Sequence, residues 1–224
     1  MNRRTPGLTL AQAIPGFLLY KTAQALSPTT LRSYHDHLKL WLQYTGEVTV
    51  ERITPQDVCA FLGWLRLEYQ PQRLTGNTAP LAPKTLHNYW VTLSAFFTWA
   101  ASEFDIPNPM QGVPAPKFQE ALVQPFTHEE VEQLLKAAEF CHEAHTTRRR
   151  SFVMRRPTAR RDRALILLLL DTGLRASELC ELNVGDVDLK LGQVRVKHGA
   201  NGGAKGGKGR VVFLGQTARR ALWR

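Results

Sequence analysis

Apolar side chains recur at three- and four-residue spacing through the first hundred residues, then give way to shorter and more mixed patterns. Ile14, Phe17 and Leu18 mark one face of a helix expected over Leu10–Ala25. A second helix opens at Ser27-Pro28, an N-cap followed by proline at the first helical position, and ends near Gly46. Leu31, Tyr34, Leu38, Trp41 and Leu42 hold its inward register. Thr54-Pro55-Gln56-Asp57 is a capping pattern for a third helix that turns Val58, Phe61, Leu62 and Leu65 inward. Turn formers fill Gln70 to Ala82, and a fourth helix runs from Pro83 to about Ser102, burying Leu86, Tyr89, Leu93, Phe96 and Phe97.

The second and fourth helices resemble one another. Pro28, Thr30, Leu31 and Tyr34 match Pro83, Thr85, Leu86 and Tyr89, and Leu38 and Leu93 continue the register. Two well-capped amphipathic helices will share such features for local reasons alone. The functional reading is a bundle presenting two equivalent helix N-termini, whose unpaired N–H groups and positive dipole ends suit phosphates. Arg32, Lys84, His87 and Asn88 would then be the polar side chains that reach the grooves of a nucleic acid. Beyond this bundle, Pro107, Pro109, Pro114 and Pro116 exclude helix from Asp105 to Lys117 and stiffen a connection between two bodies.

The pattern in the second half is less regular. Thr127-His128-Glu129-Glu130 is a capping box for a helix with Val131, Leu134, Leu135 and Ala138 inward, fading near His142. Thr146 to Arg163 holds eight arginines and one acid, Asp162, and reads as a solvated, mobile segment. Contact with a nucleic-acid backbone is the functional option for that run, and a nuclear targeting signal has the same composition. An apolar helix from Ala164 to Leu170 leads into Asp171-Thr-Gly-Leu-Arg-Ala-Ser-Glu-Leu-Cys-Glu-Leu182, where Gly173 breaks the helix. Arg175 and Glu178 are three apart, hence neighbours on the next turn. A surface ion pair is the bland reading. An arginine held rigidly at a helix junction by a carboxylate also suits a phosphate, because its planar fork grips two oxygens. After a turn at Gly185-Asp186-Val187-Asp188, strands are expected at Gln193–His198 and Arg210–Leu214. They flank a glycine-rich hairpin loop carrying Lys205 and Lys208, which is either a solvated tip or a mobile carrier of charge.

Composition sharpens this picture. The 43% hydrophobic content supports a substantial core. The net charge of +10 is uneven: residues 1–120 contribute +2 and residues 121–224 contribute +8. A clustered basic surplus is the footprint of a protein that meets phosphate backbones, with a membrane surface or RNA as other partners of the same sign. Three scattered cysteines, Cys59, Cys141 and Cys180, argue against a disulfide framework and for a reducing cytoplasm. The longest apolar run is too short to cross a bilayer. The N-terminal segment imitates a secretory signal, but Gln12 and Pro15 interrupt its apolar stretch and it fits the first helix. Gly202 to Lys208 falls short of a nucleotide-binding P-loop because Gly209 stands where Ser or Thr is required. Cys141, His142 and His145 lack further ligands for a zinc site.

Thr172-Gly-Leu-Arg-Ala-Ser-Glu-Leu179, the Gly185–Asp188 turn and Lys205-Gly-Gly-Lys-Gly-Arg-Val-Val212 together resemble the tyrosine recombinase, or phage integrase, family in order and approximate spacing. The resemblance implies a mainly α, two-domain chain. A four-helix SAM-like core-binding bundle over residues 8–104 and a proline-rich linker over 105–120 would precede part of an α+β catalytic domain over 121–224, with its β-hairpin. It implies double-stranded DNA as partner, other recombinase protomers as neighbours, and strand exchange without metal or nucleotide cofactor. In that scheme a tyrosine attacks the scissile phosphate and forms a 3′-phosphotyrosine. The residue matching Arg175 holds a non-bridging oxygen, and the residue matching Glu178 supports the site. The hairpin lysine, matching Lys205 best and Lys208 in another alignment, protonates the leaving 5′-oxygen. Arg210 follows on the second strand as a further DNA-contacting candidate. The loop is longer than the family pattern, and Thr146 to Arg160 resembles an insertion.

The family's His-x-x-Arg motif and its tyrosine have no counterpart after Arg210. All five tyrosines (Tyr20, Tyr34, Tyr44, Tyr69 and Tyr89) lie in the first half, and His145-Thr-Thr-Arg148 precedes Arg175 and matches only as a string. A truncated catalytic domain is expected, with Leu165 to Leu170 partly uncovered. Two functions fit: a recombination enzyme represented by an incomplete copy, or a DNA-binding protein that occupies recombination sites without cutting.

Overall fold

Ser27, Thr54 and Thr127 open helices as their positions predict. A computed structural model describes residues 7–73, 76–120, 122–146, 149–197 and 209–223. In it, the Ser27 hydroxyl accepts from the Thr30 amide at 3.2 Å. Thr54 and Asp57, like Thr127 and Glu130, cap one another reciprocally. The chain divides into two compact units, Met1–Leu122 and Val123–Arg224. The architecture is mostly helical with a small antiparallel sheet, as the sequence predicts.

The first unit consists of α1 (Leu10–Ala23), α2 (Pro28–Thr45), α3 (Pro55–Leu67) and α4 (Pro83–Phe104), with a one-turn 3-10 helix at Val50–Arg52. Proline opens α2, α3 and α4 at a first helical position, where its missing N–H costs nothing. Pro15 lies inside α1, yet the helix continues through it because Phe17 and Leu10 are locked into the core. Rings fill the centre. Phe17 meets Phe96 edge-on at 5.5 Å, and Trp41 meets Phe61 at 4.9 Å and Phe97 at 6.3 Å. Edge-to-face rings add about 0.5–1.5 kcal/mol per pair beyond the area they bury.

α2 and α4 touch directly. His37 Nδ1 lies 2.7 Å from Thr92 Oγ1, with its ring 4.1 Å from that of Tyr89, and farther along Trp41 touches Phe97. Phe17 also reaches both Tyr34 and Phe96, and Phe61 reaches both Trp41 and Tyr89, so α2 and α4 meet around shared rings in the core.

The proline-rich segment packs onto this unit. Met110 and Val113 are buried in its core, and Trp90 Nε1 donates to the Val113 carbonyl at 3.2 Å. His87 Nδ1 lies 3.1 Å from the Pro116 carbonyl oxygen, and the His87 ring contacts Phe118 at 4.9 Å. Prolines that forbid helix leave the chain extended, free to lie along α4.

The second unit contains α5 (His128–Glu139), β1 (Ala144–Thr146), β2 (Arg149–Phe152), α6 (Ala159–Thr172) and α7 (Ala176–Cys180). After a 3-10 turn at Val184–Asp186 come β3 (Val187–Asp188), β4 (Gln193–Val196), β5 (Arg210–Phe213) and α8 (Gln216–Trp223). Strands β3, β4 and β5 form an antiparallel sheet in that order, with Val187 opposite Val194 and Val196 opposite Arg210. Leu168, Leu174, Val194, Val196, Leu214 and Ala218 make the core.

One stretch differs from the sequence-based expectation. Within the arginine-rich run, Arg149–Phe152 form β2, paired with β1, and α6 begins at Ala159, five residues before the apolar stretch. The reason is local. Arg155 pairs with Glu139 at 2.7 Å, and the Cys141 and Arg156 amides donate to the Met154 and Glu139 carbonyls, so the hairpin base is fastened to the end of α5. The apolar stretch of α6 is partly uncovered, as expected: Leu168 is buried against Ala218 of α8 and the sheet, Leu165, Ile166, Leu167 and Leu169 are half-buried, and Leu170 is exposed. Among the described residues, no helix is long and apolar enough to cross a membrane.

Phe61→Ala removes a fully buried ring from the centre of the first unit. It is expected to cost about 3–5 kcal/mol, read as a lowered urea midpoint by far-UV circular dichroism.

Candidate functional site

The site is built where α6 stops. Thr172 Oγ1 donates to the Leu168 carbonyl at 2.6 Å, and Gly173 takes the left-handed conformation (φ 62°) while its amide closes on Leu169. A residue with a side chain strains there, which is why glycine ends this helix. The chain turns, Leu174 is buried, and Arg175 becomes the N-cap of α7.

Glu178, in the first turn of α7, is 3% exposed. One carboxylate oxygen accepts from the Arg175 amide at 2.9 Å, and the other from Arg175 NH1 at 2.9 Å. Arg210, at the start of β5, adds both terminal nitrogens to the same two oxygens, each at 2.7 Å. The Arg210 hydrogen bonds, then the Arg175 amide, hold the Glu178 carboxyl down to about 2 despite burial. It is a carboxylate at every physiological pH, so the cluster carries two positive charges against one negative.

The two arginines are not equivalent. Arg210 spends its whole fork on Glu178. Arg175 spends one nitrogen, and its side chain is 54% exposed. Among the described residues nothing else engages Arg175, so its remaining donors face solvent in a fixed orientation, free for an oxyanion.

Two acids whose roles the sequence did not reveal brace other junctions of this unit. Asp186 is buried, accepts from the Asn183 amide at 3.2 Å and pairs with Lys197, just after β4, at 2.6 Å. Its carboxyl is lowered, chiefly by Lys197. The Asn183–Asp186 spacing is a capping pattern, the one signal that could have marked it. Asp171 accepts from the Gly215 amide, fastening the β5–α8 junction to the end of α6. A Cβ at Gly215 would meet both Asp171 oxygens at 3.1 Å, so glycine permits this approach.

Lys205 and Lys208 lie outside the described residues. In the first unit, Arg32 and Asn88 are exposed in the second turns of α2 and α4. Lys84 pairs with Glu120 at 2.8 Å and lies over the Phe118 ring. His87 is half-buried against the proline-rich segment. An exposed ion pair such as Lys84–Glu120 is worth little, and a phosphate can displace it.

Comparisons with known proteins agree across both units. Residues 124–224 match the Phage integrase family, and residues 16–103 match the Phage integrase N-terminal SAM-like domain. The chain is 30% identical over 215 residues to the tyrosine recombinase XerC of Proteus mirabilis, covering 94% of this chain and 60% of that protein. It is 28% identical over 201 residues to the tyrosine recombinase XerA of Thermococcus kodakarensis, covering 90% and 56%. It thus spans less than two thirds of the length of these relatives. In fold it is similar to a lambda integrase in a tetramer bound to a Holliday junction (TM-score 0.68, 20% identity, 96% of this chain, 55% of that one). It is also similar to the Tn1549 transposon integrase in complex with a circular intermediate DNA (TM-score 0.67, 18% identity, 97% and 64%).

Glu178→Gln keeps the shape and removes the charge between two arginines. It is expected to cost about 2 kcal/mol, a value reduced by the solvent exposure of both guanidinium groups. Because the folded-state value is depressed, the carboxylate's contribution is complete above its ordinary 4.5 and lost as pH falls toward about 2. The acid limb of stability should therefore be flatter in Glu178→Gln than in the parent, measured as urea midpoints across that window.

Proposed function

The chain belongs to the phage integrase family of tyrosine recombinases, and on that premise we propose that it is a site-specific DNA recombination protein that grips a backbone phosphate at Arg175. The observation that carries this reading is the buried Glu178 carboxylate, which leaves Arg175 oriented with donors to spare. Its partner is double-stranded DNA, with other recombinase protomers beside it, acting in the cytoplasm without a nucleotide cofactor.

In this reading the first helical unit, residues 8–104, is the core-binding domain, and the exposed Arg32 and Asn88 approach DNA from α2 and α4. Lys84 and His87 join them on displacing Glu120 and the proline-rich segment. Residues 105–120 connect to a partial catalytic domain over 121–224. There Arg175 holds a non-bridging oxygen of the scissile phosphate as charge builds in the transition state. Arg210 and Glu178 act through Arg175, fixing its plane. Lys205, or Lys208, protonates the departing 5′-oxygen, which is otherwise a poor leaving group. In a complete copy a tyrosine attacks the phosphate, and the 3′-phosphotyrosine conserves the bond energy for rejoining.

A second reading has its own support: this chain binds DNA without cutting it. Its tyrosines all belong to the first unit, where each makes ring contacts. Tyr89 is also buried, and its hydroxyl is pushed up to about 12, chiefly by desolvation. Such a phenol is a poor source of nucleophile.

The chain should bind duplex DNA with an affinity that falls steeply with salt, read by fluorescence anisotropy. Salt-independent or absent binding would remove the proposal. On a nicked duplex carrying a recombination site, no adduct should survive denaturing electrophoresis. A covalent adduct would overturn the second reading and require a nucleophile within these residues.

A further inference from the structure

Arg155, Arg160, Arg163 and Arg220 line a groove of about 500 Å³ with Leu167, Thr217 and Ala221. We propose that this groove, between α6 and α8, is a second tract for the DNA backbone, separate from the phosphate held at Arg175. The inference rests on reading the chain as a DNA-binding protein.

The groove follows from two helical registers. Arg160, Arg163 and Leu167 stand at i, i+3 and i+7 on α6, and Thr217, Arg220 and Ala221 at i, i+3 and i+4 on α8. Each set shares one face of its helix. The helices are pinned together through Leu168 and Ala218, so two rows of side chains border the groove. Arg155 is brought to it by the fastening of the hairpin base to α5.

Acids that could neutralise these cations are engaged elsewhere or too few. Asp162, on the same turn of α6, accepts from Thr158 Oγ1 at 2.6 Å and pairs with Arg161. Glu139 pairs with Arg155. Among the described residues Arg160, Arg163 and Arg220 have no anionic partner, and no acid lines the groove. Like charges gathered this way repel unless an anion joins them. Rows of guanidinium groups with a hydroxyl between them suit a chain of regularly spaced phosphates, and binding would release the counterions that the nucleic acid carries. Arg163 and Arg160 precede the end of α6 by nine and twelve residues, which places the groove roughly 14–18 Å along the helix axis from that end. One phosphate cannot occupy both places.

The test uses the full chain and a labelled duplex of arbitrary sequence, with anisotropy measured across a range of NaCl. The triple variant Arg160→Gln/Arg163→Gln/Arg220→Gln should bind every duplex at least tenfold more weakly at low salt. Its slope of log affinity against log salt should shrink by about 2–3, at roughly 0.9 for each phosphate that is no longer neutralised. The matching triple lysine variant should retain most of the slope, because holding a backbone needs charge more than a fork. A folded glutamine variant with unchanged slope overturns the inference, as does a lysine variant whose slope shrinks as much as that of the glutamine one. If the triple glutamine variant fails to fold, the exposed single change Arg160→Gln decides, with an expected fall in slope of about 1. Loss of binding to anionic phosphatidylserine vesicles with DNA affinity unchanged would reassign the groove to a membrane and overturn it. A parent chain without salt-dependent DNA binding removes the functional reading as well; a parent that binds beside an unchanged triple variant removes only this inference.

Discussion

A carboxylate withdrawn from water must be neutralised where it sits, and in this protein that constraint falls on Glu178. Its burial is tolerated because four hydrogen bonds from two arginines and one amide converge on two oxygens. Those bonds reach across the second unit. Arg175 belongs to the junction after α6, and Arg210 to the strand that returns after the glycine-rich loop. The same carboxylate therefore ties the helix break to the sheet and sets the plane of the arginine whose free donors face solvent. The buried Asp186 with Lys197 repeats the device, and the exposed Asp171 fastens Gly215 to the end of α6. The site is a set of arginines and loops braced by carboxylates.

The first unit achieves order differently. It has an aromatic core, three proline-initiated helices and reciprocal caps, so each local preference agrees with the tertiary arrangement. The matching registers of α2 and α4 place Tyr34 and Tyr89 among the same core rings and leave Arg32 and Asn88 exposed. The proline-rich segment is drawn onto α4 by Met110, Val113 and the Trp90 hydrogen bond. Lys84 and His87, which the sequence offers as free polar groups, are thereby engaged within the unit.

Legibility followed the range of the forces involved. Helices with strong 3.6-residue periodicity and N-caps were readable nearly to their ends, and Gly173, Arg175 and Glu178 were readable as a junction because their mutual spacing is only a few residues. The arginine-rich run was not. Composition treats eight like charges as mutually repelling and solvated, whereas Glu139 and the backbone bridge between Phe140 and Arg155 supply order from a helix that precedes it. Lys205 and Lys208 lie outside the described residues, and their place in the site is a matter for the family pattern alone.

The sequence by itself determined the helical first unit, the break at Gly173, the pairing of Arg175 with Glu178 and the family, because periodicity, capping and motif spacing are local properties of the chain. Only the tertiary structure decided which arginine is free. Arg210 reads in sequence as one more basic residue on a strand, and it becomes the holder of Glu178 through a contact spanning 32 residues. The gathering of Arg160, Arg163 and Arg220 about one groove was likewise invisible in the chain, since it depends on α8 packing against α6. Long-range pairing of charges is set by which surfaces the core brings together, and no local pattern encodes it.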